Sequence, residues 1–83
     1  MTYKYKTSGT CSQEITIVVE NDTIQEVAFI GGCHGNLQGV SRLVAGMKVT
    51  EVIERLKGIK CGYKSTSCPD QLAIALEEIL KGR

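Results

Sequence analysis

The 83-residue chain has no tryptophan, one phenylalanine, one proline and one histidine. With so few large rings, a core has to be assembled from Ile, Val, Leu and Ala. One histidine does not support a Ser/His/Asp or Cys/His catalytic arrangement. Lys and Arg total 10 against 9 for Asp and Glu, and the two signs are mixed. No basic block and no Arg/aromatic interleaving occurs, so nucleic-acid binding finds no support. No apolar run approaches the roughly 20 residues that a membrane-spanning helix needs. Met1 to Lys6 is polar and alternating, unlike a secretory signal. These absences lead to the expectation of a cytoplasmic protein. The Cys-x-x-Cys knuckle of the common zinc modules is missing as well.

What is present is four cysteines: Cys11, Cys33, Cys61 and Cys68. Each lies beside or near a glycine, a proline or a hydroxyl residue, as in Gly31-Gly32-Cys33-His34-Gly35 and Ser67-Cys68-Pro69-Asp70. Such residues favour turns and helix starts. A cysteine used only as a small hydrophobe usually sits within an apolar run. Stable disulfides are rare in the cytosol, so four thiols there point to a metal or to redox chemistry. The length fits one domain, residues 1–83. In so small a domain a bound metal can reinforce a thin core.

Alternation predicts a first strand through Tyr3, Tyr5 and Thr7, and a second through Ile15, Ile17 and Val19. Glu20-Asn21-Asp22-Thr23 reads as the turn into a third strand, from about Thr23 to Ile30. In that strand Val27 and Phe29 share one face and Ala28 and Ile30 the other, which suggests a central strand covered on both sides. Short connections imply an antiparallel meander. Asn36 reads as the N-cap of a first helix, with Leu37, Val40, Leu43, Val44 and Met47 at helical spacing. A second helix starts near Val49 or Thr50, carries Val52, Ile53 and Leu56, and stops at Gly58. A third starts at Pro69, with Leu72, Ala75, Leu76, Ile79 and Leu80 as its apolar stripe. The fold class is therefore α+β: a three-stranded antiparallel meander, then three helices packed on one face.

On this map Cys11 lies in the first turn and Cys33 at the exit of the third strand. In a meander those two places fall at the same end of the sheet. Cys61 lies in the loop after the second helix and Cys68 at the start of the third. Four thiolates suit tetrahedral zinc or iron, and a helix start favours the thiolate form. The intervening segments of 21, 27 and 6 residues fit a site assembled by a folded domain. Three other readings stay open. Cys61 can be a buried small residue, His34 a substitute ligand, and Cys61 with Cys68 a redox pair. Asp70 reads as a partner of the helix dipole rather than an acid catalyst. Arg42, Lys48 and Lys64 read as solvated charges.

The string Thr66-Ser67-Cys68-Pro69-Asp70 resembles the signature of the TSCPD domain family. The resemblance extends through Thr7-Ser8-Gly9-Thr10-Cys11, Gly31-Gly32-Cys33-His34-Gly35-Asn36-Leu37 and Gly58-Ile59-Lys60-Cys61-Gly62. Similar domains end the adenosylcobalamin-dependent ribonucleotide reductases. The resemblance implies a bound metal, zinc first, on Cys11, Cys33, Cys61 and Cys68, and a protein partner, with ribonucleotide reductase the candidate. Reduction of a ribonucleotide needs a large barrel that 83 residues cannot form, so an accessory role is expected, not an enzyme in its own right. A more distant architectural similarity is to SufE/NifU-type iron–sulfur scaffolds, which place cysteines where Cys11, Cys33 and Cys68 fall. That similarity implies an iron–sulfur cluster as the alternative cofactor. The chain departs from the scaffold pattern in carrying Cys61 and in having Gln13 where the scaffolds carry an aspartate.

Overall fold

The computed structural model describes residues 1–10, 12–32 and 34–82, with the side chain of His34 also outside the description. The chain forms β1 (Thr2–Lys6), β2 (Ser12–Glu20), β3 (Thr23–Gly31), α1 (His34–Val44), α2 (Val49–Leu56) and α3 (Cys68–Lys81), in that order. The strands make one antiparallel sheet in the order β1-β2-β3. This is the predicted α+β meander followed by three helices.

The β2–β3 hairpin closes through Asn21 and Asp22, with φ of 51° and 63°. Two successive left-handed residues match the right-handed twist of the flanking strands. Ile15, Ile17 and Val19 point into the core, whereas Thr16 and Val18 on the opposite face are half-buried. The core joins these to Val44 of α1, to Val49 and Val52 of α2, and to Leu72, Ala75, Leu76 and Ile79 of α3. All three helices thus contribute to one buried layer against one face of the sheet.

β3 is an edge strand, not the central strand its sequence suggested; β2 is central. The imperfect alternation of β3 has another cause. Pairing slips by one residue between Val18↔Glu26 and Val19↔Ile24, leaving Gln25 as an extra residue. Ile24 and Val27, three apart, therefore both face the core. A second slip separates Ser12↔Gly31 from Glu14↔Ile30 and makes Gln13 the extra residue in β2. It turns Ser12 inward beside Ile15, which lies three residues on. Bulges commonly re-aim a side chain in this way.

α1 begins at His34, so Asn36 lies in its first turn rather than at its cap. Leu37 and Val44 are buried and Val40 is half-buried, while Leu43 is 78% exposed. At about 100° per residue, Leu43 falls outside the arc shared by the other three. α2 ends where expected: Gly58 follows the cap residue Lys57 with φ of 89°, a value that suits glycine. The α1–α2 link docks on the start of β3 through Ile24 N–H to Met47 C=O (2.8 Å) and Val49 N–H to Asp22 C=O (2.9 Å). Among the described residues no helix is long and apolar enough to cross a membrane.

Candidate metal centre

The segment Thr66–Gln71 organises the thiol end of the molecule. α3 starts at Cys68 with Ser67 as its N-cap. The Ser67 hydroxyl accepts from the Asp70 N–H at 3.1 Å and donates to the Ile59 carbonyl at 2.6 Å. One side chain therefore caps the helix and pins the preceding loop. Asp70 is buried, and its role is wider than that of a dipole partner. One carboxylate oxygen accepts from the Gly58 N–H at 2.7 Å and the other from the Thr66 hydroxyl. Thr66 also accepts from Gln71 Nε2 at 3.1 Å, and Gln71 Oε1 accepts from the Ser8 N–H at 3.1 Å. The network ties the β1–β2 connection, the α2–α3 loop and the first turn of α3 into one unit. Ser67-x-x-Asp70 is the sequence signal for it, a capping-box spacing; the long-range partners leave no such trace.

Cys68 is 6% exposed at the start of α3. Its Sγ lies 3.2 Å from the hydroxyl of Ser12, which is itself buried. Cys61 is exposed, so it is not a buried packing residue. It sits on a tight turn: its N–H donates to the Thr66 carbonyl at 3.2 Å, and its carbonyl accepts from the Lys64 N–H at 3.0 Å. Gly62 supplies a φ of 59° within that turn.

Cys61 and Cys68 line the same cavity, of about 210 Å3. Its other walls include Thr10, Asn36 and Leu37, together with Lys60 and Lys64. Thr10 adjoins Cys11 in sequence, and Asn36 follows Cys33 by three residues. Cys11 and Cys33 lie outside the described residues, as does the side chain of His34. Among the described residues no group of three or more His, Cys, Asp and Glu side chains comes together. A larger groove, of about 400 Å3 between β3 and α1, is lined by no thiol among the described residues.

The cavity walls are electropositive. The first turns of both α1 and α3 contribute lining residues, and a helix start carries partial positive charge. Lys60 and Lys64 add two cations. Within residues 55–69, Arg55, Lys57, Lys60 and Lys64 occur without any acidic residue. Lys57 is taken up by Glu77 at 2.7 Å on the surface, and Lys60 and Lys64 remain at the thiols. A zinc ion held by four thiolates carries net negative charge, so these walls and this donor type fit such a group.

A TSCPD domain model matches residues 1–80. The chain belongs to the TSCPD domain family. The match takes in all four cysteine positions and every secondary-structure element from β1 to the last turn of α3. No curated protein and no solved structure matches the chain, and the SufE/NifU-type likeness gains no support. Within this TSCPD domain the signature residues have separable roles. Thr66 and Asp70 close the network, Ser67 caps the helix, and Cys68 presents its thiol from the first turn. Ser67→Ala is expected to cost about 1 kcal/mol from the lost cap. Urea unfolding should show this as a lower midpoint at unchanged slope.

Proposed function

We propose that the protein is a small metal-binding module in which Cys11, Cys33, Cys61 and Cys68 together hold one zinc ion. The observation that carries this reading is the shared cavity. Two of the four thiols line it, and the residues around it include Thr10 beside Cys11 and Asn36 and Leu37 shortly after Cys33. Zinc bound by four thiolates forms a closed structural site with no open position for substrate. It would fasten the β1–β2 connection, the start of α1 and the α2–α3 loop to the first turn of α3. The function that follows is that of an accessory or interaction domain, with ribonucleotide reductase as the candidate partner.

A second reading draws on the same cavity. Cys61 and Cys68 share it and differ sharply in exposure. That suits a redox pair whose exposed thiolate attacks a disulfide oxidant and whose buried thiol then displaces it to close the internal disulfide.

Elemental analysis and a visible spectrum of protein purified anaerobically without chelator distinguish the readings. One zinc per chain and no colour is the expected result. Iron with a visible band would transfer the site to a cluster. Four titratable thiols without metal, falling by two on mild oxidation, would replace the zinc reading with the redox one.

A further inference from the structure

We propose that Ser12 is a positioning residue for the metal site, its hydroxyl donating to the Cys68 sulfur when that sulfur is a metal-bound thiolate. The inference rests on the four-thiolate reading and goes beyond it by naming a group that no cysteine spacing indicates.

The backbone presents Ser12 to Cys68. The extra residue Gln13 turns the Ser12 side chain to the core face of β2, where it is 4% exposed. The Ser12 carbonyl accepts from the Thr7 hydroxyl at 2.5 Å. Its own hydroxyl lies 3.2 Å from Thr10 Oγ1 and 3.2 Å from Cys68 Sγ. The side chain is thus held between one hydroxyl and one sulfur, 56 residues apart from the latter in sequence.

Proton bookkeeping gives this contact its consequence. With Cys68 as a thiol, the S–H donates and Ser12 Oγ accepts. A thiolate ligand has lost that proton to solvent, and its sulfur can only accept. The Ser12 hydroxyl then turns its own hydrogen to the sulfur, and Thr10 Oγ1 can donate to Ser12 Oγ. Every group in the chain Thr10–Ser12–Cys68 stays satisfied in both states. An alanine at position 12 would remove a donor from a sulfur with little access to water, and the charge on that sulfur would lose part of its compensation. Hydrogen bonds around a metal ligand typically contribute about 10–100-fold to affinity.

The test compares wild-type protein with Ser12→Ala, Ser12→Thr and Thr10→Val. Zinc affinity is read by competition with a chromophoric chelator, and the ligand field by the visible spectrum of the cobalt(II)-substituted protein. Circular dichroism of the zinc-loaded variants checks the fold. Ser12→Ala is expected to weaken zinc about 10–100-fold. It should also shift the sulfur-to-cobalt charge-transfer band while keeping the tetrahedral four-sulfur pattern. Ser12→Thr keeps the hydroxyl and should recover most of the affinity; Thr10→Val should lose less than Ser12→Ala. Affinities for Ser12→Ala within twofold of wild type, with an unshifted band, would overturn the role of Ser12 and leave the four-thiolate site standing. Wild-type protein that binds neither metal would overturn both. Should Ser12→Ala fail to fold, Thr10→Val decides: an unchanged affinity and an unshifted band overturn the proposal.

Discussion

On the proposed four-thiolate site, Cys68→Ser is expected to abolish stoichiometric zinc binding and to lower the melting temperature by well over 10 °C. Serine is nearly isosteric with cysteine, so the change removes a ligand and leaves little cavity. The position is 6% exposed, and water cannot readily replace the missing sulfur. Structural zinc contributes about 10–16 kcal/mol of apparent binding energy in small modules at neutral pH. Loss of one ligand in four removes several kcal/mol of that, and each kcal/mol moves the melting temperature of a domain this size by roughly 4–8 °C. Cys61→Ser should be milder, because Cys61 is exposed and water can take its coordination position. Zinc-to-protein ratios and thermal circular dichroism measure both effects. A chelator-treated wild type provides the comparison. If the metal carries the effect, treated wild type and Cys68→Ser melt together. A Cys68→Ser protein that keeps one zinc and melts within a few degrees of untreated wild type would rule Cys68 out as a ligand.

Asp70→Ala should cost about 3 kcal/mol, with or without metal. The carboxylate is buried and accepts from the Gly58 N–H and the Thr66 hydroxyl. Hydrogen bonds to a charged group contribute about 1.5–3 kcal/mol each, and removing one partner strands the donors left behind. Thr66 in turn holds Gln71, which reaches the Ser8 N–H. The disturbance should therefore reach the β1–β2 connection as well as the α2–α3 loop. Chemical denaturation gives the energy. Amide exchange gives the location, with Gly58 expected to lose protection first and Ser8 to follow. Asp70→Asn keeps one carbonyl oxygen for Gly58 and should fall between wild type and alanine. Loss of protection confined to the first turn of α3 would reduce Asp70 to a dipole partner.

The elements were legible because their signals are local. Alternation in β2, the Asn21-Asp22 turn and the helical spacing of Leu72, Ala75, Leu76 and Ile79 each depend on neighbours within a few residues. The centrality assigned to β3 failed for a reason that pattern reading cannot see. A slipped register at Gln25 breaks strict alternation as effectively as burial on both faces does. Leu43 failed similarly, since three-residue spacing from Val40 does not by itself say which arc of α1 meets the sheet.

The sequence by itself determined the family and the order of three strands and three helices, and it singled out the four thiols as candidates for the chemistry. Only the tertiary structure decided that Asp70 holds Gly58 and Thr66, that Cys61 is exposed while Cys68 is buried, and that Ser12 touches the Cys68 sulfur. The physical reason is range. Propensity and periodicity act over one or two turns of chain. The Ser12–Cys68 contact spans 56 residues and exists because one extra residue in β2 turns a hydroxyl inward at the point where a capped helix begins.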